Sequence, residues 1–331
     1  MSPPDPYLLL DLGLAATILV LALAALRQRD SFTMAVVFIL FGLLVALAWV
    51  RLDAPDVALA EAAIGAGVTG ALLLRTLRHV GGERRDPAPV PRVVAGMLGL
   101  SVAGFATLGG LALMATPRHG TGLIPAVAAR MDQSGVEHPV TAVLLNFRAY
   151  DTLLEVVVVL AAVMAVWAID RTIDRAAAPL PYLPGVALRG PIAGAYLRLV
   201  LPALALIGAY LVWIGAYSPG GAFQGGAVLA AAGVLSALAR GGRWPRTAAT
   251  MPLLRGSLVL GVVVFTGVGI WAAVAGGGVL HYPPAQAKPL ILLIEASVAL
   301  SIAATLTALF LGHMPQPAAR IALRKGTTND T

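Results

Sequence analysis

The 331-residue chain contains no cysteine. That absence excludes disulfides, thiolate metal sites, iron–sulfur clusters and cysteine nucleophiles, so any redox chemistry linked to this chain must take place on another one. Charge is scarce as well, at 12% Asp, Glu, Lys and Arg. The five histidines, His79, His119, His138, His281 and His313, lie in loops and at helix ends without metal-ligand spacing. An independent enzyme is therefore not expected, and no cofactor is.

What the chain has in quantity is apolar sequence: 59% hydrophobic residues and a mean hydropathy of +0.86, gathered in blocks near twenty residues long, the length that crosses a hydrocarbon core. These features predict an all-α, polytopic integral membrane protein. Nine spans are expected, at about 7–26, 32–50, 55–77, 93–115, 150–169, 196–215, 222–239, 254–275 and 290–312. The net charge of +7 is better explained by basic loops against an anionic membrane face than by nucleic-acid binding.

With nine spans and the N-terminus outside, eighteen of the 23 Lys and Arg residues fall in inner loops and five outside: Arg51, Arg118, Arg130, Arg148 and Lys288. Basic residues concentrate on the cytoplasmic side, so the N-terminus is expected outside and the C-terminus in the cytoplasm, with the chain multi-pass in the inner cell membrane. The first span lacks the basic start of a signal peptide and is expected to be retained. Two stretches rich in Arg and Pro, 78–92 and 170–195, read as cytoplasmic linkers that divide the chain into modules of three, two and four helices. In the outer segment, Pro139–Phe147 reads as a short interfacial helix leading into the fifth span.

Ionisable residues inside the spans are few: Asp11, Glu61, Glu155 and Glu295, with Asp56 and Asp151 at helix mouths. A carboxylate in hydrocarbon costs several kcal/mol, so such groups face a protein interior or a wet cavity and often belong to an ion path. Glu61 and Glu295 are expected two turns inside their helices, beyond capping reach; a purely structural hydrogen bond is the alternative role. Thr152-Leu-Leu-Glu155 fits a capping box, and Asp56, beside Pro55 at a helix start, fits an ordinary first-turn acid. Ala58, Glu61, Ala62, Gly65 and Thr69 share helical spacing and are mostly small, which lets a neighbouring helix come close. Gly65, Gly67 and Gly70 also make a helical irregularity affordable.

The most distinctive string is Ser218-Pro219-Gly220-Gly221-Ala222-Phe223-Gln224-Gly225-Gly226. Pro219 presets one turn angle and the paired glycines permit a tight reversal. An amide and two further glycines at the start of a span call for more: close backbone packing against another subunit, or amides lining an aqueous entrance.

This string resembles the signature of the MrpB component of the Mrp-type sodium/proton antiporters and its counterpart in energy-converting membrane-bound hydrogenases. Asp56-Val-Ala-Leu-Ala-Glu61-Ala-Ala-Ile-Gly65 is similar to the three-helix module near the C-terminus of the Mrp large subunit, which the hydrogenases carry as a separate D-type polypeptide. Asn146-Phe-Arg-Ala-Tyr-Asp-Thr-Leu-Leu-Glu155 resembles the next, E-type, two-helix module. Ala222 stands where the MrpB signature usually has a third glycine, and Gly215-Ala216 replaces a histidine often present upstream.

The resemblance implies a hydrogenase D-like module over 1–80, an E-like module over 90–170, an MrpB-like domain over 195–315 and a cytoplasmic tail, 316–331. It implies a membrane component of a hetero-oligomeric complex, partnered by other Mrp-like or hydrogenase-like membrane subunits, that exchanges Na⁺ and H⁺. Glu61 carries over as an ion-path carboxylate. Arg148, Asp151 and Glu155 carry over as a charged cluster near an outer entrance, and Glu295 joins them as a candidate. The alternatives are a component of a redox-driven hydrogenase-like pump and a non-conducting scaffold.

Overall fold

A computed structural model describes residues 7–80, 91–115, 122–172, 190–241, 250–275 and 277–314. The tail 316–331 and most of both expected linkers lie outside the described residues. The elements are α1 (Leu8–Arg27), α2 (Ser31–Arg51), α3 (Pro55–Ala60), a π-helical segment (Glu61–Val68), α4 (Thr69–Val80), α5 (Arg92–Ala115), α6 (Ile124–Ala128), α7 (Met131–Ser134), α8 (Pro139–Ala142), a second π-helical segment (Val143–Phe147), α9 (Ala149–Thr172), α10 (Pro191–Ile214), α11 (Ala222–Ala239), α12 (Thr250–Val274) and α13 (Pro284–Leu311). Among the described residues, nine helices are long and apolar enough to cross a membrane, α3, its π segment and α4 counting as one. All nine coincide with the expected spans. Three begin earlier than hydropathy suggests: α10 at Pro191, α12 at Thr250 and α13 at Pro284. Proline tolerates the first helical turn, so α10 and α13 extend past the apolar run.

Contacts divide the chain into two compact units, Val80–Arg130 and the remainder. The first holds α5 and α6. The glycines of α5 (Gly96, Gly99, Gly104, Gly109 and Gly110) have open space where a Cβ would stand.

In the second unit, α1 and α2 form a hairpin closed at one end by Arg51, whose Nε and Nη2 donate to Asp11 at 2.7 and 3.1 Å. Asp11 is thus accounted for by an ion pair. Ala35, Gly42 and Ala46 are the buried residues of α2, small enough to admit the third span. The irregularity that Gly65 and Gly67 make affordable is present as the π-helical segment, a feature that recurs at functional sites. At the other end of that span Arg75 Nη2 donates to Leu311 O at 2.7 Å and the guanidinium lies 5.0 Å from the Phe310 ring centroid.

The centre of this unit is α13. It buries Ile291, Ile294, Val298, Ile302 and Leu306 and is flanked by α11, α12 and α9. Its buried hydroxyls are satisfied by backbone carbonyls: Ser297 on Ile294 O, Ser301 on Leu258 O and Thr305 on Ser301 O. A second apolar cluster of Val163, Trp167, Leu254, Leu258 and Ala308 joins α9, α12 and α13. Pro139–Phe147 is helical as expected, but Thr141, Ala142 and Leu145 are buried, so it packs inward.

Candidate functional site

Helix α10 ends at Ile214 and the chain turns back on it. Tyr217 and Ser218 N–H donate to Ile214 O at 2.8 and 2.9 Å, and Gly221 N–H to Leu211 O at 2.8 Å, which satisfies carbonyls that a helix end leaves open. Gly221 adopts φ +113°, a region costing an L-residue about 1–3 kcal/mol. Gly220 is required for another reason: a Cβ there would stand 2.7 Å from Leu211 O. At Gly225 a Cβ would lie 2.7 Å from Gly208 O of α10, and at Gly226 2.9 Å from Ile302 of α13. These glycines therefore serve close backbone packing, and the surfaces they meet belong to this chain itself. Phe223 is half-buried against the main core.

Asp56 holds this turn from the third span. Its Oδ1 accepts from Gly220 N–H at 3.2 Å, its carbonyl accepts from Gln224 Nε2 at 3.3 Å, and its Oδ2 lies 2.8 Å from His138 Nε2. Both side chains of the pair are largely buried. Pro55 does open α3, but the residue before it, Ala54, makes no side-chain cap, and the Asp56 carboxylate turns to tertiary partners instead of the helix start. His138 is fixed in turn, because Ala216 O accepts from the N–H groups of Glu137 and His138 at 2.8 and 3.1 Å, while the buried Thr141 hydroxyl donates to Gly215 O. His138 and Thr141 were not singled out as site residues from the sequence. Asp56 lies 82 residues from His138, and no local spacing signals a pair so distant.

On the far side of the turn stands Glu295, only 2% exposed. Gly215 and Gly221 close on its Oε1, so that a Cβ at either would stand 3.1 or 3.0 Å from it, while Oε2 is buried without a partner among the described residues, a condition that costs about 1–3 kcal/mol or more. Because α13 begins at Pro284 and runs through Pro289, Glu295 is about 16 Å along its helix at ~1.5 Å per residue, deeper than the two turns expected.

Glu61, at the start of the π segment, is half-buried. Its side chain folds along its own helix over Gly65, where a Cβ would lie 2.3 Å from Oε1. It also lies against α2, Oε1 standing 3.4 Å from where a Gly42 Cβ would be. Two glycines on adjacent helices thus make room for this carboxylate.

Arg148, Asp151 and Glu155 form a separate group. Arg148 Nη2 and Asp151 Oδ2 are 2.7 Å apart on an exposed surface, and Glu155 follows one turn later on the same face of α9, also exposed. The expected capping box does not form. Helix α9 starts at Ala149, so Thr152 lies inside it, buried, and donates its hydroxyl to Leu144 O at 2.6 Å. Lys288, in the first turns of α13, sits 4.6 Å from the Tyr217 ring centroid. Among the described residues no cluster of three or more His, Asp or Glu side chains is arranged to hold a metal ion.

Residues 16–82 match the family model MbhD, one of the subunits of MBH, and residues 192–314 match that of a domain related to the MnhB subunit of Na⁺/H⁺ antiporter. The chain is thus similar to MbhD in its first part and to the MnhB-related domain in its last. No curated protein matches it. Among solved structures it is similar to a chain of the Mrp complex from Dietzia sp. DQ12-45-1b, with 21% identity and a TM-score of 0.72, covering 95% of this chain and 36% of that one. It is also similar to a chain of the membrane-bound sulfane sulfur reductase, an archaeal respiratory membrane complex, with 23% identity and a TM-score of 0.47, covering 66% of this chain and 98% of that one. The protein therefore spans little more than a third of the Mrp-complex chain whose fold it shares. Asp56 lies in the stretch that matches MbhD while Gly220, Gln224 and Glu295 lie in the stretch that matches the MnhB-related domain, so the two matched stretches meet at the turn.

Proposed function

We propose that this chain is a membrane component of a multi-subunit Mrp-type monovalent cation/proton antiporter in the inner cell membrane, and that it contributes part of the Na⁺/H⁺ translocation path. The observation that carries the reading is the Glu61 carboxylate, lodged between Gly65 and Gly42 at a π-helical segment inside an apolar span, where an ionisable group is costly unless it works. Glu61 and Glu295 are the carboxylates that exchange a proton for a cation, and Asp151 and Glu155, with Arg148 paired to Asp151, form a charged cluster at the outer mouth. Carboxylate oxygens suit a hard cation such as Na⁺. The middle stretch, 90–170, acts as the E-like module between the other two.

The partners in this reading are other Mrp-like membrane subunits, including the large proton-pumping ones. Purification in mild detergent from the native host should bring them down, and the purified complex should exchange Na⁺ for H⁺ in liposomes. A monodisperse single chain that performs this exchange alone would contradict the proposal. A second reading, an ion-translocating membrane component of a redox-driven hydrogenase-like complex, is favoured by the MbhD-type match over 16–82. It predicts hydrogenase-like or quinone-reductase-like subunits in the same preparation. A scaffold that does not conduct predicts that neutralising Glu61 leaves transport intact.

The orientation belongs to the same proposal, with the N-terminus outside and the C-terminus in the cytoplasm, because eighteen of 23 basic residues then lie inside. Tags at positions 84 and 325 should be reachable only from the cytoplasmic side. Labelling of either from outside in sealed cells would reverse the assignment.

A further inference from the structure

Two carboxylates from different helices meet the same short piece of backbone. Asp56 Oδ1 takes the Gly220 N–H, Glu295 Oε1 lies against Gly221, and Gly221 itself adopts φ +113°. A turn with two adjacent glycines has little rigidity of its own, so its partners decide where it rests. On one side the partner is Asp56, braced by His138 and gripped through its carbonyl by Gln224. On the other, Gly215 and Gly221 press close to Glu295: a Cβ at either would stand 3.1 or 3.0 Å from Oε1. A small shift of the turn would therefore change the packing of Glu295 Oε1, while Oε2 is buried without a partner among the described residues.

Of the other charged groups on the elements packed here, Glu61 lies over Gly65 on the span that carries Asp56. Arg51 pairs with Asp11, Lys288 faces the Tyr217 ring with Glu137 in its field, Asp53 lies in the turn before α3, and α11 carries no charged residue between Ala222 and Ala239.

We propose that Asp56, braced by His138, is a positioning residue for Glu295: it sets the glycine turn where Gly215 and Gly221 close on the Glu295 carboxylate, and thereby sets that carboxylate's affinity for the transported cation. The proposal rests on the reading of Glu295 as a member of the ion route. It makes the contact between the stretches that match MbhD and the MnhB-related domain a determinant of cation affinity as well as of assembly.

The test uses the assembled complex in proteoliposomes, with Na⁺-driven proton flux measured against Na⁺ concentration for Asp56→Ala, Asp56→Asn, His138→Ala, the double variant Asp56→Ala/His138→Ala, and Glu295→Gln. Asp56→Ala and His138→Ala should each raise the apparent KM for Na⁺ about fivefold or more while maximal flux stays within about twofold. The double variant should be no worse than the more severe single one, because both changes release the same turn. Asp56→Asn keeps an oxygen for the Gly220 N–H and should recover most of the affinity. A purely structural role would lower the amount of assembled complex and the maximal flux and leave KM alone; that result, or failure of both alanine variants to assemble, overturns the proposal. So does an Asp56→Asn variant as impaired as Asp56→Ala, since the charge and not the acceptor would then matter. Unchanged KM in the alanine variants beside an impaired Glu295→Gln overturns the positioning role alone. A fully active Glu295→Gln overturns the reading beneath it.

Discussion

Replacing Glu61 by Gln is expected to leave the complex assembled and to remove most Na⁺-dependent transport, by roughly 10²-fold if the carboxylate carries the proton in the limiting step. Gln keeps the length of the side chain and its place over Gly65, so loss of flux at normal assembly would report the loss of charge. Glu61→Asp keeps the charge one methylene shorter and should retain part of the activity. Gly65→Ala offers a geometric companion: its Cβ would lie 2.3 Å from Glu61 Oε1, a separation no non-bonded carbon and oxygen sustain. The carboxylate must leave its present place while its charge stays, and transport should fall well below wild type. Transport at the wild-type rate by Glu61→Gln from about pH 6 to 9, a range spanning the ordinary histidine pKa, would remove Glu61 from the ion route and favour the scaffold reading.

A second large effect is expected at Gly225. There an alanine Cβ would meet Gly208 O at 2.7 Å and Val212 Cγ2 at 2.6 Å, and because one of those atoms is backbone the helices themselves must part. Separating α10 from α11 also pulls on the turn that carries Gly220 and Gly221, so we expect Gly225→Ala to cost roughly 3 kcal/mol or more, in the range of overpacked cores. Gly256→Ala on α12, with open space at its Cβ position, is the matched control and should be neutral or slightly stabilising in a helix. Thermal aggregation of the detergent-solubilised complex distinguishes the two. Equal melting behaviour would mean that α10 and α11 are not packed this closely.

Much of the fold was legible from single segments. An apolar run near twenty residues has few options in a bilayer other than a helix, since every backbone N–H and C=O must find its partner within the segment. That requirement is local, and all nine spans followed from it. The errors in extent were local too: α13 begins at Pro284 because proline is welcome in a first turn and tolerated at 289 inside the helix, whereas hydropathy marks only where the apolar run starts. Glu295 is for that reason deeper in its helix than its distance from Pro289 suggested.

The candidate site was legible only in pieces. Glu61, Glu295 and the Ser218–Gly226 string stand out because each is chemically unusual for a membrane helix, and Gly65 marks the position that the Glu61 side chain covers. What joins the pieces did not show. Asp56 and Thr152 both carried a sufficient local explanation, a helix start and a capping box, and in both cases a tertiary partner prevailed: Asp56 bonds His138 and Gly220 N–H, and Thr152 donates to Leu144 O.

The sequence alone determined the absence of thiol chemistry, the membrane setting, the helix count and the residue types able to handle a cation, because composition and hydropathy act one segment at a time. The tertiary structure alone decided that Asp56 and Glu295 both reach one glycine turn, that His138 braces Asp56 from the segment before α9, and that Glu61 lies against Gly42 of α2. A cap offers a carboxylate about 1 kcal/mol at a solvated helix end, whereas a charge-assisted bond in a buried junction is worth about 1.5–3 kcal/mol. The larger gain is available only after the helices have packed, and that is why it was invisible until they had.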